Sequence, residues 1–455
     1  MIVLKFGGTS VGTFDAVSRT MGIIADRIGE KPLVCVSALS KVTDLLYEIA
    51  ATAAQGNSSV ALDSLLYKLR TRHLDLVQSL LSADPDGCAK ASARVNEICD
   101  TLSAVTGTVT ALGDVPDRIK AVIISFGEIL SSTIICYALN SRGIRTGFAD
   151  ARTMIFTDSE YLCGAPQFDR INAAVPTVVA EAFERGTAFS TDGKAADGKP
   201  NRAVITQGFI SSSTQGAATV LGRGGSDYSA SILASALGAE RVEIWTDVDG
   251  IRTTDPRVCP TTARIPRISY DEASRMALFG AKVLHPMTIA PAVEKNIPIW
   301  VLNSMSPKDP GTEIVPSPRS GKGPLGIAFK RNVYLFRLPK ASRESISGCL
   351  EEAHLRPDIF AVSGQQLLMT VDFAQNVGGL LALAAPSTPI LLRTGYSQMS
   401  IIGEGMTEVA AALEEAVPSV RKNFGKMIEP GNITYIVASA RLDETVRDVH
   451  RYLFE

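Results

Sequence analysis

The chain has 455 residues, 45% of them hydrophobic, with 45 lysines and arginines against 47 aspartates and glutamates, for a formal net charge of −2. That length accommodates two or three domains with large cores, and the near-neutral balance gives no electrostatic case for nucleic acid or a membrane surface as partner. Seven scattered cysteines, an odd number without a C-x-x-C pair, read as reduced thiols in a cytoplasmic protein, and four histidines far apart in sequence signal no histidine-based metal site.

The opening stretch, Met1 to Gly12, runs from an apolar strand (Ile2 to Leu4) through Lys5 and Phe6 into Gly7 and Gly8, then Thr9 and Ser10. Glycines without Cβ atoms let backbone N–H groups approach an anion, and the lysine adds a point charge, so the stretch suggests a phosphate cradle. It is not a Walker loop, because G-x-x-x-x-G-K-[ST] is absent. An amphipathic helix follows over 14–28, then a buried strand, Leu33 to Val36, that breaks into the hydroxyl-rich turn from Ser37 to Thr43. Residues 44–112 read as mostly helical. Ala121 to Ile124 reads as a third strand ending in Ser125-Phe-Gly-Glu128, and a helix runs on through Tyr137. Strands alternating with helices predict a mostly parallel sheet, with ligands beyond the carboxyl ends of its strands.

The middle repeats this grammar. A polar, Gly-rich loop over 186–201 precedes the strand from Arg202 to Thr206. Gly222-Arg-Gly-Gly-Ser-Asp227 then opens a helix, and Val242 to Asp247 is a strand leading to Asp249-Gly250 and Thr254-Asp-Pro-Arg257. A capped helix begins at Ile268 and runs to Val283, and Ile299 to Leu302 closes the sheet, giving a first domain over 1–302. Residues 303–326 are rich in Pro, Gly and Ser and read as a linker. Beyond it, two βαββαβ units follow, 327–395 and 396–455. The second runs out of chain one strand short, so Thr312 to Val315 is expected to supply that strand, with the first unit inserted into the second. No apolar run approaches the length of a membrane span, and the N-terminal residues lack the features of a signal peptide.

Gly222 to Asp227 is the most specific stretch: glycines around an arginine at a helix start combine an anion nest, a helix dipole and a bidentate guanidinium. Glu128, read as following a strand, is a candidate partner for a substrate ammonium. Thr246 to Gly250 could offer a carboxylate to a ribose or merely form an Asp-Gly turn. Lys282 could complement a helix dipole or reach a phosphate. His285 reads as structural.

These motifs, Lys5-Phe-Gly-Gly-Thr-Ser-Val11, Ser125-Phe-Gly-Glu128, Thr206-Gln-Gly-Phe209, Gly222-Arg-Gly-Gly-Ser-Asp227, Thr246-Asp247 with Thr254-Asp-Pro-Arg257, and Phe279-Gly-Ala-Lys-Val-Leu-His-Pro286, resemble those of the aspartate kinases. The resemblance spans residues 1–315 and implies the amino-acid kinase fold, a mostly parallel central sheet sandwiched by helices, followed by two α+β ACT (βαββαβ) modules. It implies transfer of the γ-phosphoryl group of ATP to the side-chain carboxylate of L-aspartate, in the pathway to lysine, threonine and methionine. Lys5 would neutralise charge on the transferring group and Asp227 would organise the lysines. Gly7 and Gly8 would donate N–H groups. Ser37, Thr43, Glu128, Arg223 and Ser226 would hold aspartate, with Glu128 on its ammonium and Arg223 on a carboxylate. Thr246, Asp247, Arg252, Arg257 and Lys282 would serve the nucleotide. Mg²⁺ would arrive on the ATP phosphates without protein ligands, and a homodimer through the ACT modules, or a higher oligomer, is expected. Arg252 stands where related enzymes usually have tyrosine, and the family's common effector stretches are not legible at 340–344 and 358–362. The rivals are another kinase of this fold, acting on acetylglutamate, glutamate, carbamate or a nucleotide, and a non-catalytic amino-acid sensor.

Overall fold

The computed structural model describes residues 1–56, 59–184, 200–281, 284, 286–316, 323–353, 355–363, 365–373, 375–384 and 389–455. The loop expected over 186–201 therefore lies, but for its last two residues, outside the described residues, as do Lys282 and His285. The chain forms two compact units, Met1–Gly250 with Met287–Pro316, and Ile251–Pro286 with Ser317–Glu455. Segment 251–286 thus goes with the second unit rather than with the expected 1–302 domain.

In chain order the first unit begins with β1 (Ile2–Phe6), α1 (Phe14–Arg27), β2 (Pro32–Val36), α2 (Val42–Ala54), α3 (Ser59–Leu80), α4 (Pro85–Leu112) and α5 (Asp117–Ser141). It continues with β3 (Thr146–Phe148), β4 (Phe156–Thr157), α6 (Phe168–Glu184), β5 (Ala203–Gln207), β6 (Ile210–Ser213), β7 (Ala218–Val220), α7 (Gly225–Leu237) and β8 (Val242–Thr246). After β9 (Arg267–Ser269) and α8 (Tyr270–Leu278), which belong to the second unit, come α9 (Pro286–Glu294), β10 (Ile299–Asn303) and β11 (Thr312–Val315). The central sheet runs β3-β5-β2-β1-β8-β10-β11 and is parallel except at β11. β1 and β2 are buried along their whole length, as continuous apolar runs in a two-sided parallel sheet require. The carboxyl ends of β1, β2 and β5 therefore lie side by side, where Gly7, Ser37 and Gly208 begin the turns.

Two sequence readings are corrected here. Ala121 to Ile124 is not a strand but the first turns of α5. Its Val122-Ile-Ile run suits a strand locally. Yet apolar and small residues continue to Leu139, and a helix hydrophobic on all sides is stable when wrapped by protein. By length and composition α5 could cross a membrane, but 83% of its apolar window is buried in this core. The second correction concerns Thr312 to Val315, which pairs antiparallel with β10 inside the first unit and is not donated to the second βαββαβ unit. Gly311, at φ 63°, makes that return possible, because a Cβ there would meet the Val301 carbonyl oxygen at 2.2 Å.

The missing strand comes instead from β12 (Gly323–Pro339). The second unit continues with α10 (Arg343–Glu352), β13 (Ile359–Ser363), β14 (Gln366–Asp372), α11 (Gly378–Ala384), β15 (Leu391–Glu404), α12 (Met406–Ala416), α13 (Pro418–Arg421), β16 (Gly425–Glu429), β17 (Asn432–Ala438) and α14 (Leu442–Phe454). They make one six-stranded sheet, β13-β14-β12-β15-β17-β16. β12 and β15 are each shared: Gly323 to Lys330 pairs with Gln398 to Glu404, and Val333 to Arg337 pairs with Leu391 to Tyr396, with a register shift between. One βαββαβ unit is inserted in the other as expected, but through the front half of β12. Pro324 and three nearby glycines disguise the start of that half, up to Gly326, as linker.

Candidate active site

One cavity of about 630 Å³ opens at the carboxyl ends of β1, β2 and β5 and at the start of α7. Nine sequence candidates line it: Lys5, Gly7, Gly8, Ser37, Thr43, Glu128, Arg223, Ser226 and Asp227. Lys5 is the fourth residue of the fully buried β1, so its stem is fixed by the sheet while its Nζ meets Asp227 Oδ1 at 2.6 Å. Asp227 sits in the first turn of α7, where the helix dipole favours a carboxylate.

Glycines bring these segments together at three close approaches. A Cβ on Gly8 would lie 2.9 Å from the Ala38 carbonyl oxygen. One on Gly208 would lie 2.6 Å from Ser226 Cβ, and one on Gly127 2.8 Å from Ala38 Cβ. Gly222 and Gly224 flank Arg223 at φ 74° and 72°, a left-handed backbone that other residues adopt at a cost. Arg223 is exposed and forms no ion pair among the described residues.

Glu128 enters from the middle of α5 rather than from a strand end. It is buried, and its Oε1 accepts the Ala38 N–H at 3.1 Å while Oε2 has no hydrogen-bond partner. Burial pushes its carboxyl up to about 8, against the partial offset of backbone N–H donation. Ser131, one turn on, donates to the Ser37 carbonyl at 2.8 Å, so α5 holds the β2–α2 turn at two points. Gly127→Ala is expected to force α5 from that turn at a cost of about 1–3 kcal/mol, as overpacking does. A lower melting temperature would check this.

Gly7 is corrected in one respect. Its N–H donates to the Trp245 carbonyl at 3.2 Å, extending the β1–β8 pairing, so it is not directed at a ligand. Among the nucleotide candidates of the first unit, Gly7 and Gly8 line this cavity, and Thr246 and Asp247 are not among its lining residues. Thr246 ends β8 and donates from Oγ1 to Asp247 Oδ1 at 3.1 Å. In the second unit, Arg252 Nη1 donates to the Thr262 carbonyl at 2.6 Å, and the Arg257 guanidinium forks onto Asp255. Tyr47, Cys163 and Phe209 line the cavity without having been singled out in the sequence. Phe209 did stand in a quoted motif, but Tyr47 and Cys163 carry no local signal.

A sequence model of the amino acid kinase family matches residues 1–303. Lysine-sensitive aspartokinase 3 of Escherichia coli (strain K12) is 30% identical over 100% of this chain and 99% of its own length. Aspartokinase 1, chloroplastic, of Arabidopsis thaliana is 29% identical over 100% of this chain and 80% of its own. Among solved structures, E. coli aspartokinase III in complex with aspartate and ADP superposes with a TM-score of 0.81 at 27% identity, covering all of both chains.

Proposed function

This chain belongs to the amino acid kinase family, and from that premise we infer that it is an aspartate kinase, transferring the γ-phosphoryl group of ATP to the side-chain carboxylate of L-aspartate. The products are 4-phospho-L-aspartate and ADP. The observation that carries the reading is the convergence of Lys5, Asp227, Glu128 and Arg223 on one cavity, in a chain similar over its whole length to aspartokinases.

The acceptor carboxylate has a pKa of about 3.9 and is ionised at neutral pH, so no general base is required. The chemical difficulty is to bring two anions into line, which calls for positioning and charge neutralisation. In our reading Arg223 takes one carboxylate of aspartate in a bidentate fork, and Glu128 takes its ammonium. Ser37, Thr43 and Ser226 supply hydroxyls around them. Lys5, held by Asp227, faces the transferring phosphoryl group, and the Gly8 N–H lies beside it. Thr246, Asp247, Arg252, Arg257 and Lys282 are assigned to the nucleotide.

The donor set fits Mg²⁺ carried on ATP. The cavity's two carboxylates are already engaged, Asp227 by Lys5 and Glu128 by Ala38, and Mg²⁺ in such sites is commonly held by phosphates and water. The metal would neutralise phosphate charge; Lys5 does so from the protein side. All seven cysteines are free thiols, which suits a reducing cytoplasm. We further assign a homodimer through the paired βαββαβ units, which light scattering would test.

The function is tested by measuring ADP release with aspartate, glutamate, acetylglutamate, carbamate and a nucleoside monophosphate. Aspartate alone should support turnover, and hydroxylamine should trap the acyl phosphate as a hydroxamate. Turnover with another acceptor in place of aspartate, or none with any, would overturn the reading.

A further inference from the structure

Three zinc-type ligands converge in the second unit. Cys259 Sγ, a ring nitrogen of His450 and a Glu455 carboxylate oxygen all lie within 4.8 Å of one another. Cys259 and His450 are buried, at 4% and 1% exposure, whereas the Glu455 side chain is 39% exposed, so the cluster has one wet side.

The surroundings match what a metal site needs. His450 Nδ1 is 3.3 Å from Glu455 Oε1. Two donors on one tetrahedral zinc, each bound at about 2.0–2.1 Å, stand roughly 3.3 Å apart. The other imidazole nitrogen, Nε2, lies 2.9 Å from Thr253 Oγ1, which also accepts the Ala263 N–H at 3.1 Å. An Nε2–H donated to that hydroxyl leaves the Nδ1 lone pair on the Glu455 side, the outer-shell arrangement that orients ligating histidines. Phe454, tilted 41° against the imidazole at 5.1 Å, packs on the ring. Thr261 Oγ1 is 3.3 Å from Cys259 Sγ and 2.5 Å from Glu455 Oε1, a fourth donor atom beside the cluster.

We propose that Cys259, His450 and Glu455 form a binding site for one zinc-class divalent cation, with Thr261 or water at the fourth position. A thiolate, an imidazole and a carboxylate select a borderline-soft ion over Mg²⁺ or Ca²⁺. On binding, the Cys259 thiol gives its proton to solvent and sulfur donates its pair to the metal. The ion would fasten the 253–263 segment to α14 within the second unit. The proposal is independent of the kinase reading, since its readouts are metal binding and stability.

The test uses the full chain, stripped with chelator and titrated with Zn²⁺, and with Co²⁺ as a spectroscopic probe. The expected result is one equivalent bound, a near-ultraviolet thiolate-to-cobalt band, and a melting temperature that rises with Zn²⁺. Outer-shell partners alone are worth about 10–100-fold in affinity, so losing a ligand in Cys259→Ser should cost more than that and abolish the band. Glu455→Gln, at a half-exposed position that folding tolerates, should weaken binding at least about tenfold by the same measure. Cys349→Ser should leave the band in place. Absence of the band in the unsubstituted chain, or an unchanged band and stoichiometry in Cys259→Ser and Glu455→Gln, overturns the proposal.

Discussion

Lys5→Ala is expected to reduce kcat by about 10³-fold or more while aspartate binding, measured by calorimetry, stays within a few-fold. Removing a single preorganised charge-stabilising group typically costs about 10²–10³ in kcat, and a cation on the transferring phosphoryl group up to about 10⁵. Lys5 belongs at the upper end for two structural reasons. It sits on a strand buried along its whole length, so its ammonium needs little reorganisation. It is also a mostly buried cation, 8% exposed, in a cavity where its field is poorly screened. Asp227 fixes it at 2.6 Å, so Asp227→Asn should lower kcat less than Lys5→Ala, through a lysine that remains charged but wanders. Lys5→Ala also strands a partly buried Asp227, so circular dichroism must first establish that the variant is folded. Turnover at the level of the unsubstituted chain would remove Lys5 from the reaction.

The site was legible in the sequence where its chemistry is local. Glycine pairs beside a charge mark close approaches, and Gly8 and Gly225 both proved to be such places. The order of strands and helices likewise conveyed the parallel sheet and the nested βαββαβ units. What stayed hidden depends on distant partners. Val122-Ile-Ile prefers a strand on its own, and only burial by the rest of the first unit makes α5 the better state. The stretch from Gly323 to Gly326 looks like linker because a strand's Pro and Gly weaken its local signal, while pairing with β15 supplies what propensity does not. Gly7 shows the converse error: its motif suggested a free N–H, but the neighbouring β8 takes it. Cys259 and His450, unremarkable in a linear reading, meet only because α14 packs within the second unit.

Aspartate binding near neutral pH is expected to release about one proton, and Glu128→Gln should abolish that release. With its carboxyl pushed up to about 8 by burial, Glu128 of the free enzyme is mostly protonated at pH 7. An arriving ammonium favours the ionised form, so the proton must leave, and affinity should rise up to about tenfold per pH unit until pH 8, then level. Glutamine removes the titration and the charge-assisted contact together. Its expected loss, about 1.5–3 kcal/mol, is roughly 10–100-fold in affinity, with a flat profile over the same window. The linkage also predicts the stability of the free enzyme. A carboxyl whose folded pKa lies above its unfolded value of 4.5 holds more protons in the native state between 4.5 and 8. Its contribution is therefore fully present below pH 4.5 and is lost as pH rises through 8, on the order of a few kcal/mol. Glu128→Gln should melt higher than the unsubstituted chain at pH 8 without ligand, and saturating aspartate should reverse that order, because only the ionised glutamate pairs with the ammonium. Calorimetry in buffers of different ionisation enthalpy counts the protons directly. Equal proton release from the two chains would mean that another group titrates and that Glu128 does not receive the substrate ammonium.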